Sequence, residues 1–342
     1  MESEPFQKIA AKNGLPVALG EDTAGEPVAG DLSGLPHLLI AGATGSGKSV
    51  CTNTIVSSLL LTNGPDKLRM VMVDPKRVEL TPFNGIPHLV TKVIVDTDEV
   101  LSVLRAMQNE MTRRYRLLEE IGARNLEAYN KKSSVHMPFL VIIIDELADL
   151  MMAASYEVEH SLVRLAQLGR AAGIHLIVAT QRPSVKVVTG LLKANVPARI
   201  AFSVASQVDS RVILDTGGAE KLMGKGDMLL LNSDSPKPRR VQGTYVSDLE
   251  IEKLVEFWKK QSGPPVPEIP LDESYPPESG PDSEEEEDED DVLDKARELA
   301  ERYQNLSASV LQRRLQVGYP KAMKLMKQLE EEGLVSPAHA RT

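Results

Sequence analysis

Eight consecutive residues, Gly42-Ala43-Thr44-Gly45-Ser46-Gly47-Lys48-Ser49, fit the spacing G-x-x-x-x-G-K-[ST]. Glycines so placed let backbone N–H groups turn inward around an anion, and a helix starting at the lysine adds its positive end. The chemistry implied is nucleotide phosphate binding. Gly42 through Val50 form the cradle, Lys48 reaches the β- and γ-phosphates, and Ser49 holds Mg²⁺. Cys51, just inside the helix, reads as core packing.

Hydrolysis of a bound ATP needs a second group of residues. The run Phe139-Leu-Val-Ile-Ile-Ile ends in Asp145-Glu146, and a buried strand of this type delivers its last residues to the sheet edge where the phosphate loop lies. Asp145 is expected to orient Mg²⁺ through water, and Glu146 to polarise the attacking water. Another apolar run ends in Thr180-Gln181-Arg182-Pro183, so Gln181 or Thr180 is a candidate sensor of the γ-phosphate, with a capping or turn role as its plainer alternative. Asp74-Pro75-Lys76 ends a further strand at the same edge, where a turn and a contribution to the site both stay open.

These residues need a scaffold, and the hydrophobic pattern predicts one. Residues 37–41, 69–74, 139–145, 174–180, 198–204 and 227–231 read as buried strands, and 48–61, 97–120 and 156–172 as helices. Such alternation predicts an α/β fold, a largely parallel sheet covered by helices on both faces.

The chain of 342 residues has one cysteine, which excludes disulfides and a cysteine-based zinc site. The six histidines lack paired ligand spacing and read as structural. Aromatics make up only 4 %, too few for a stacking platform along unpaired bases. No run approaches the ~18 apolar residues of a membrane span, and no secretory signal opens the chain, so a cytoplasmic location is expected. The formal charge of −10 comes from one segment: residues 261–291 carry thirteen Asp/Glu and no Lys/Arg, and without them the remainder is +3. A polyanionic partner is therefore compatible with the rest of the chain.

That Pro-rich, then purely acidic segment is expected to be a disordered linker. Residues 1–30 read as a lead-in, 31–260 as the ATPase core, and 292–342 as a small helical domain. In the last of these, 292–304 is an amphipathic helix, and Ser307 can cap a second helix reaching about 317. Gly318-Tyr319 makes a turn, Pro320 opens a third helix, and 334–340 suits a β-wing, the layout of a winged helix-turn-helix.

The segments AGEPVAGDLSGLPHLLIAGATGSGKSV, DPKRVEL, EMTRRYRLLEEIGARNLEAYN, IIIDELADLM, GRAAGIHLIVATQRPSVKVVTGLLKANVPARIAFSV and SQVDSRVILDTGGAEKLMGKGDML resemble the FtsK/SpoIIIE DNA translocases over about residues 12–250. The tail SASVLQRRLQVGYPKAMKLMKQLEEEGLV is similar to that family's γ domain. The resemblance implies a RecA-like core that hydrolyses ATP with Mg²⁺, works as a homo-hexameric ring around double-stranded DNA, and serves chromosome segregation at division or sporulation. It implies an arginine finger from a neighbouring subunit, for which Arg211 is the best match, ahead of Arg170 and Arg182. It implies DNA-gripping loops, with Lys186, Lys193, Lys221 and Lys225 as candidates.

In the tail, Arg313, Arg314, Lys321, Lys324 and Lys327 are the expected DNA contacts. The family's recognition helix places a polar residue, a base and an acid where this chain has Pro320, Lys324 and Lys327. Lys324 still suits guanine or phosphate, but Lys327 cannot accept a hydrogen bond from cytosine, so DNA binding without the usual family signal is expected. Family members also carry an N-terminal membrane anchor, which places them at the division septum, and some contact a site-specific recombinase. This chain begins almost at the ATPase core and shows no such anchor. The competing readings are an FtsK-like ATPase for protein secretion, one for conjugative plasmid transfer, and a DNA-bound scaffold that uses ATP only to assemble.

Overall fold

The computed structural model describes residues 1–232, 235, 237–261, 296, 297, 300 and 325–329. The chain divides into two units, Met1–Tyr275 and Pro276–Thr342. The described residues of the second unit are helical, with Leu325, Met326 and Leu329 buried and Lys327 exposed. Arg313, Arg314, Lys321 and Lys324 lie outside the described residues, as does the acidic segment beyond Gln261.

The first unit opens with α1 (Glu4–Ala11), β1 (Pro16–Asp22), β2 (Pro27–Asp31), β3 (His37–Ala41), α2 (Lys48–Thr62) and β4 (Leu68–Val73). It continues through α3 (Thr97–Glu120), α4 (Leu126–Lys132), β5 (Phe139–Ile144), α5 (Leu147–Ala153), α6 (Ser155–Leu168) and β6 (Ile174–Thr180). It closes with α7 (Gly190–Asn195), β7 (Ala198–Phe202), α8 (Gln207–Leu214), β8 (Asp227–Leu231), β9 (Arg239–Gly243) and α9 (Asp248–Lys259). The strands form one sheet in the order β2-β1-β9-β8-β7-β3-β6-β5-β4.

All six strands expected from apolar runs are present, and the five from β7 to β4 are parallel. Beyond β7 the sheet is antiparallel. Two features go beyond the pattern that the apolar runs predict. β8 runs antiparallel to β7, so the chain between them begins and ends at one edge of the sheet. Residues 1–30, expected as a lead-in, supply α1 and the β1–β2 hairpin, and β1 pairs with β9.

Alternate side chains of the parallel strands feed two cores, as a pleat of period two requires. Leu38, Ile40, Val141 and Ile143 face α2 and α9 on one side. Leu39, Leu140, Ile142 and Ile144 face α3, α5 and α6 on the other. α2 is enclosed despite its Ser and Thr content, and several of its hydroxyls bond to carbonyls of the helix itself. Thr52 donates to the Lys48 carbonyl at 3.2 Å and Ser58 to the Thr54 carbonyl at 2.7 Å.

β3 leads next to β4 on one side, and β6 leads next to β7 on the other. The connections part between neighbours β3 and β6, which opens a crevice at the carboxyl ends of the strands.

The fully buried Arg114 anchors α3 beneath the sheet. It donates to Glu110 at 2.7 Å and to the Ala172 carbonyl at 2.8 Å, while Arg113 also clasps Glu110. Burial alone would raise the Glu110 carboxyl, but the hydrogen bond from Arg113 and the charge of Arg114 hold it below the usual range. Removing Glu110 leaves Arg114 buried without its charge partner, whereas removing Arg114 leaves Glu110 with Arg113. Glu110→Ala is expected to cost about 3–5 kcal/mol of stability and Arg114→Met distinctly less, as read by urea denaturation.

His37, His88 and His175 are buried. Burial is the largest cause in each case, and it pushes their imidazolium values from 6.5 down to about 3, about 4 and about 4. The folded state keeps the rings neutral while the unfolded chain protonates them near 6.5. Stability from this source is therefore full above that pH and is lost as pH falls toward 4 and, for His37, toward 3. Unfolding at pH 5 is expected to take up about two to three protons, a slope on the order of 3–4 kcal/mol per pH unit in denaturant titrations.

Candidate nucleotide site

The phosphate loop leaves the sheet where β3 ends between β6 and β7. The Gly42 N–H donates to the Thr180 carbonyl at 3.3 Å, and Ala43 N–H to the Ser203 carbonyl at 2.9 Å. Gly45 and Gly47 have φ of 77° and 119°, the left-handed region that favours glycine. A Cβ on Gly47 would sit 2.7 Å from the Gly226 nitrogen. Gly226 in turn donates to the Ser46 carbonyl at 2.9 Å and accepts from the Gly243 N–H at 2.7 Å. Three backbone segments are thus layered without side chains between them, and the antiparallel extension braces the loop.

Lys48 opens α2 and turns inward. Its Nζ lies 2.5 Å from Asp145 Oδ1 and 2.8 Å from the Asp145 carbonyl oxygen, with both residues almost completely buried. The other carboxylate oxygen, Asp145 Oδ2, is buried with no hydrogen-bond partner. Ser49 Oγ donates to Glu79 Oε1 at 2.6 Å.

Glu146 follows Asp145 and caps α5, accepting from the Ala148 N–H. Its Oε1 accepts from Thr180 Oγ1 at 2.6 Å, its Oε2 accepts from Lys76 Nζ at 2.8 Å, and the Gln181 N–H points at both. Burial on its own would raise this carboxyl, but the hydrogen bonds from Lys76 and Thr180 and the lysine's charge bring it below the usual range. Glu146 is therefore an anion at neutral pH. Gln181 Oε1 accepts from Thr44 Oγ1 at 2.8 Å, tying the tip of β6 to the phosphate loop.

A cavity of about 340 Å³ lies against the loop, lined among others by Thr44, Ser49, Val50, Lys225, Gln242 and Tyr245. The structure fits a polyphosphate and a hard cation on three counts. The glycine cradle has no room for a Cβ at Gly47, a lysine lies beneath it, and the carboxylate paired with that lysine keeps one buried oxygen without a partner. No group of three or more His, Cys, Asp or Glu able to hold a metal by themselves occurs among the described residues, so phosphate oxygens and water would have to complete the cation's shell.

The structure brings together Gly42–Val50, Asp145, Glu146 and Gln181. It keeps Arg211 apart: this residue is exposed on α8 and does not line the cavity. The four lysines expected to grip DNA separate. Lys225, at φ 52°, lines the nucleotide cavity. Lys193 is held by Asp215 at 2.6 Å, in a cluster with Arg199. Lys186 and Lys221 are exposed. Lys76 and Glu79 are site residues that motif spacing did not assign. The only sequence signal was Asp74-Pro75-Lys76 at a strand end, and which strand lies beside β5 is settled by pairing alone.

The FtsK/SpoIIIE family profile matches residues 1–137 and 132–185, and the FtsK gamma domain profile matches residues 287–342. The DNA translocase FtsK of Oceanobacillus iheyensis is 50 % identical over 330 residues, which cover 94 % of this chain and 41 % of that protein. The DNA translocase SpoIIIE of Bacillus subtilis is 50 % identical over 347 residues, 98 % of this chain and 43 % of that protein. The chain thus spans less than half the length of these relatives. Among solved structures, the pCW3 conjugation coupling protein TcpA in its monomer form with ATPγS has a TM-score of 0.65 at 30 % identity, covering 75 % of this chain and 73 % of that one. The cytoplasmic domain of the type VII secretion ATPase EccC from Thermomonospora curvata gives 0.67 at 29 % identity, covering 76 % and 33 %. The five-strand parallel order, the phosphate loop and the profile matches at both ends of the chain agree: it belongs to the FtsK/SpoIIIE family, with a RecA-like P-loop core.

Proposed function

We propose that this chain is the ATP-hydrolysing motor part of a translocase for double-stranded DNA. The observation that carries the ATPase reading is the convergence of the phosphate loop, the buried Lys48–Asp145 pair and the Glu146 carboxylate at one sheet edge. Relatives named DNA translocases and the FtsK gamma profile favour DNA as the substrate.

In this reading the N–H groups of Gly42–Val50 bind the phosphates, and Lys48 shares its charge between them and Asp145. Ser49 and Asp145 would hold Mg²⁺, which when bound neutralises phosphate charge. Glu146 takes up a proton from the attacking water at Oε2, the oxygen that Lys76 engages. Gln181, linked to Thr44, reports the state of the γ-phosphate to the strand tip. Arg211 serves the neighbouring subunit of a hexameric ring, and its exposure outside its own cavity supports that role. Lys186 and Lys221, with Lys327 of the tail, contact the DNA backbone without reading sequence. Chromosome segregation and a recombinase partner belong to the same proposal, as does tethering at a septum by a longer protein. No helix among the described residues is long and apolar enough to cross a membrane.

Steady-state ATP hydrolysis is expected to rise strongly with long duplex DNA and to vanish in Lys48→Ala. Glu146→Gln is expected to lower kcat by about 10²–10⁴-fold while nucleotide still binds. A ring that assembles but hydrolyses ATP without duplex stimulation would favour the secretion reading, to which the likeness to EccC points.

A pH profile tests the Lys76–Glu146 contact. With its value depressed, Glu146 stays ionised as pH falls to the ordinary carboxylate value of 4.5, so kcat should show no acidic limb from this residue above that point. In Lys76→Met burial is no longer opposed by the lysine, and the limb is expected to move to higher pH.

A further inference from the structure

The turn that follows β4 carries two of the contacts at the site, and its geometry is fixed from below. Asp74 is fully buried at the strand end, and its Oδ2 accepts the N–H groups of Glu79 at 3.0 Å and Leu80 at 2.9 Å. Its own N–H donates to the Ile94 carbonyl at 2.8 Å. Arg77 stands at φ 60°, which folds the turn back over the strand end. The turn is therefore held at its base by a buried carboxylate, and Glu79 projects from it to Ser49 Oγ at 2.6 Å.

We propose that Glu79 is a positioning residue for the divalent cation, acting through Ser49; this rests on the nucleotide-site reading above. A serine hydroxyl that donates its proton to a carboxylate keeps its oxygen lone pairs for a cation, and the carboxylate makes that oxygen a stronger ligand. Without Glu79 the hydroxyl is free to rotate, and its proton can point where the cation must sit. The buried, unpartnered Asp145 Oδ2 is a second, independent sign that the nucleotide site receives a cation. The Glu79 carboxylate also has an oxygen beyond the one that Ser49 uses, suited to a cation-bound water. Asp74 supports this arrangement through Oδ2, which accepts from the turn's own backbone, while its buried Oδ1 has no hydrogen-bond partner.

Binding of a fluorescent non-hydrolysable ATP analogue, titrated with MgCl₂ and repeated in EDTA, tests the assignment without turnover. Glu79→Ala is expected to raise the Mg²⁺ concentration for half-maximal binding by about 10–100-fold while changing the affinity in EDTA by less than about twofold. Glu79→Gln keeps an acceptor oxygen and is expected to recover part of the loss, which also serves if the alanine variant fails to fold. Unchanged Mg²⁺ dependence in either folded variant, against a Mg²⁺-dependent wild type, overturns the role of Glu79 alone. A wild type that binds no analogue in either buffer overturns the nucleotide-site reading and this role with it.

Discussion

An ammonium and a carboxylate, both shut off from solvent, meet at 2.5 Å between Lys48 and Asp145, and the rest of the site is arranged around them. Taking either ion out of water alone costs several kcal/mol, so the burial of each depends on the attraction of the other. The two come from β3 and β5, which are not neighbours: β6 lies between them. The phosphate loop has to arch over the tip of β6 for the lysine to arrive, and that tip has to be small and polar. Thr180 meets both needs, sending its hydroxyl to Glu146 while its carbonyl receives Gly42. One ion pair therefore links the phosphate end, the cation end and the water end of the site.

The arch is held up from behind. Ser46 and Gly47 rest on Gly226, and Gly226 rests on Gly243, so the loop's shape depends on strands outside the parallel core. Those strands also supply Gln242 and Tyr245 to the cavity wall. The antiparallel half of the sheet is thus part of the binding site, although it holds none of the residues assigned to chemistry.

Much of this was legible in the sequence, for physical reasons. The five parallel strands are buried on both faces and are written as mostly apolar runs, and the phosphate loop needs particular residues at consecutive positions. β9 was illegible: in Arg239-Arg240-Val241-Gln242-Gly243 only Val241 is buried, so no apolar run marks it. β1 ends in Gly20-Glu21-Asp22, which reads as a turn. Glu79 escaped, and Lys76 was marked only as a strand end with its contribution open, because their partners lie 30 and 70 residues away and no spacing rule reaches across a sheet. Of the lysines that the family resemblance offered for DNA, Lys193 stands in an ion-pair cluster and Lys225 lines the nucleotide cavity.

The pairing of β1 with β9, Gly20 to Gly243, has a consequence for how the molecule is made. The phosphate loop leaves the ribosome roughly two hundred residues before the segment that completes its cavity, at a pace of about 5–20 residues per second. For about ten seconds or more the nascent chain carries a glycine loop without its backing and a first hairpin whose strand β1 still lacks its second neighbour. Unpaired strand edges are sticky. Vectorial synthesis thus makes this small N-terminal hairpin the part most in need of protection, and the arrival of β9 both shields it and finishes the cavity.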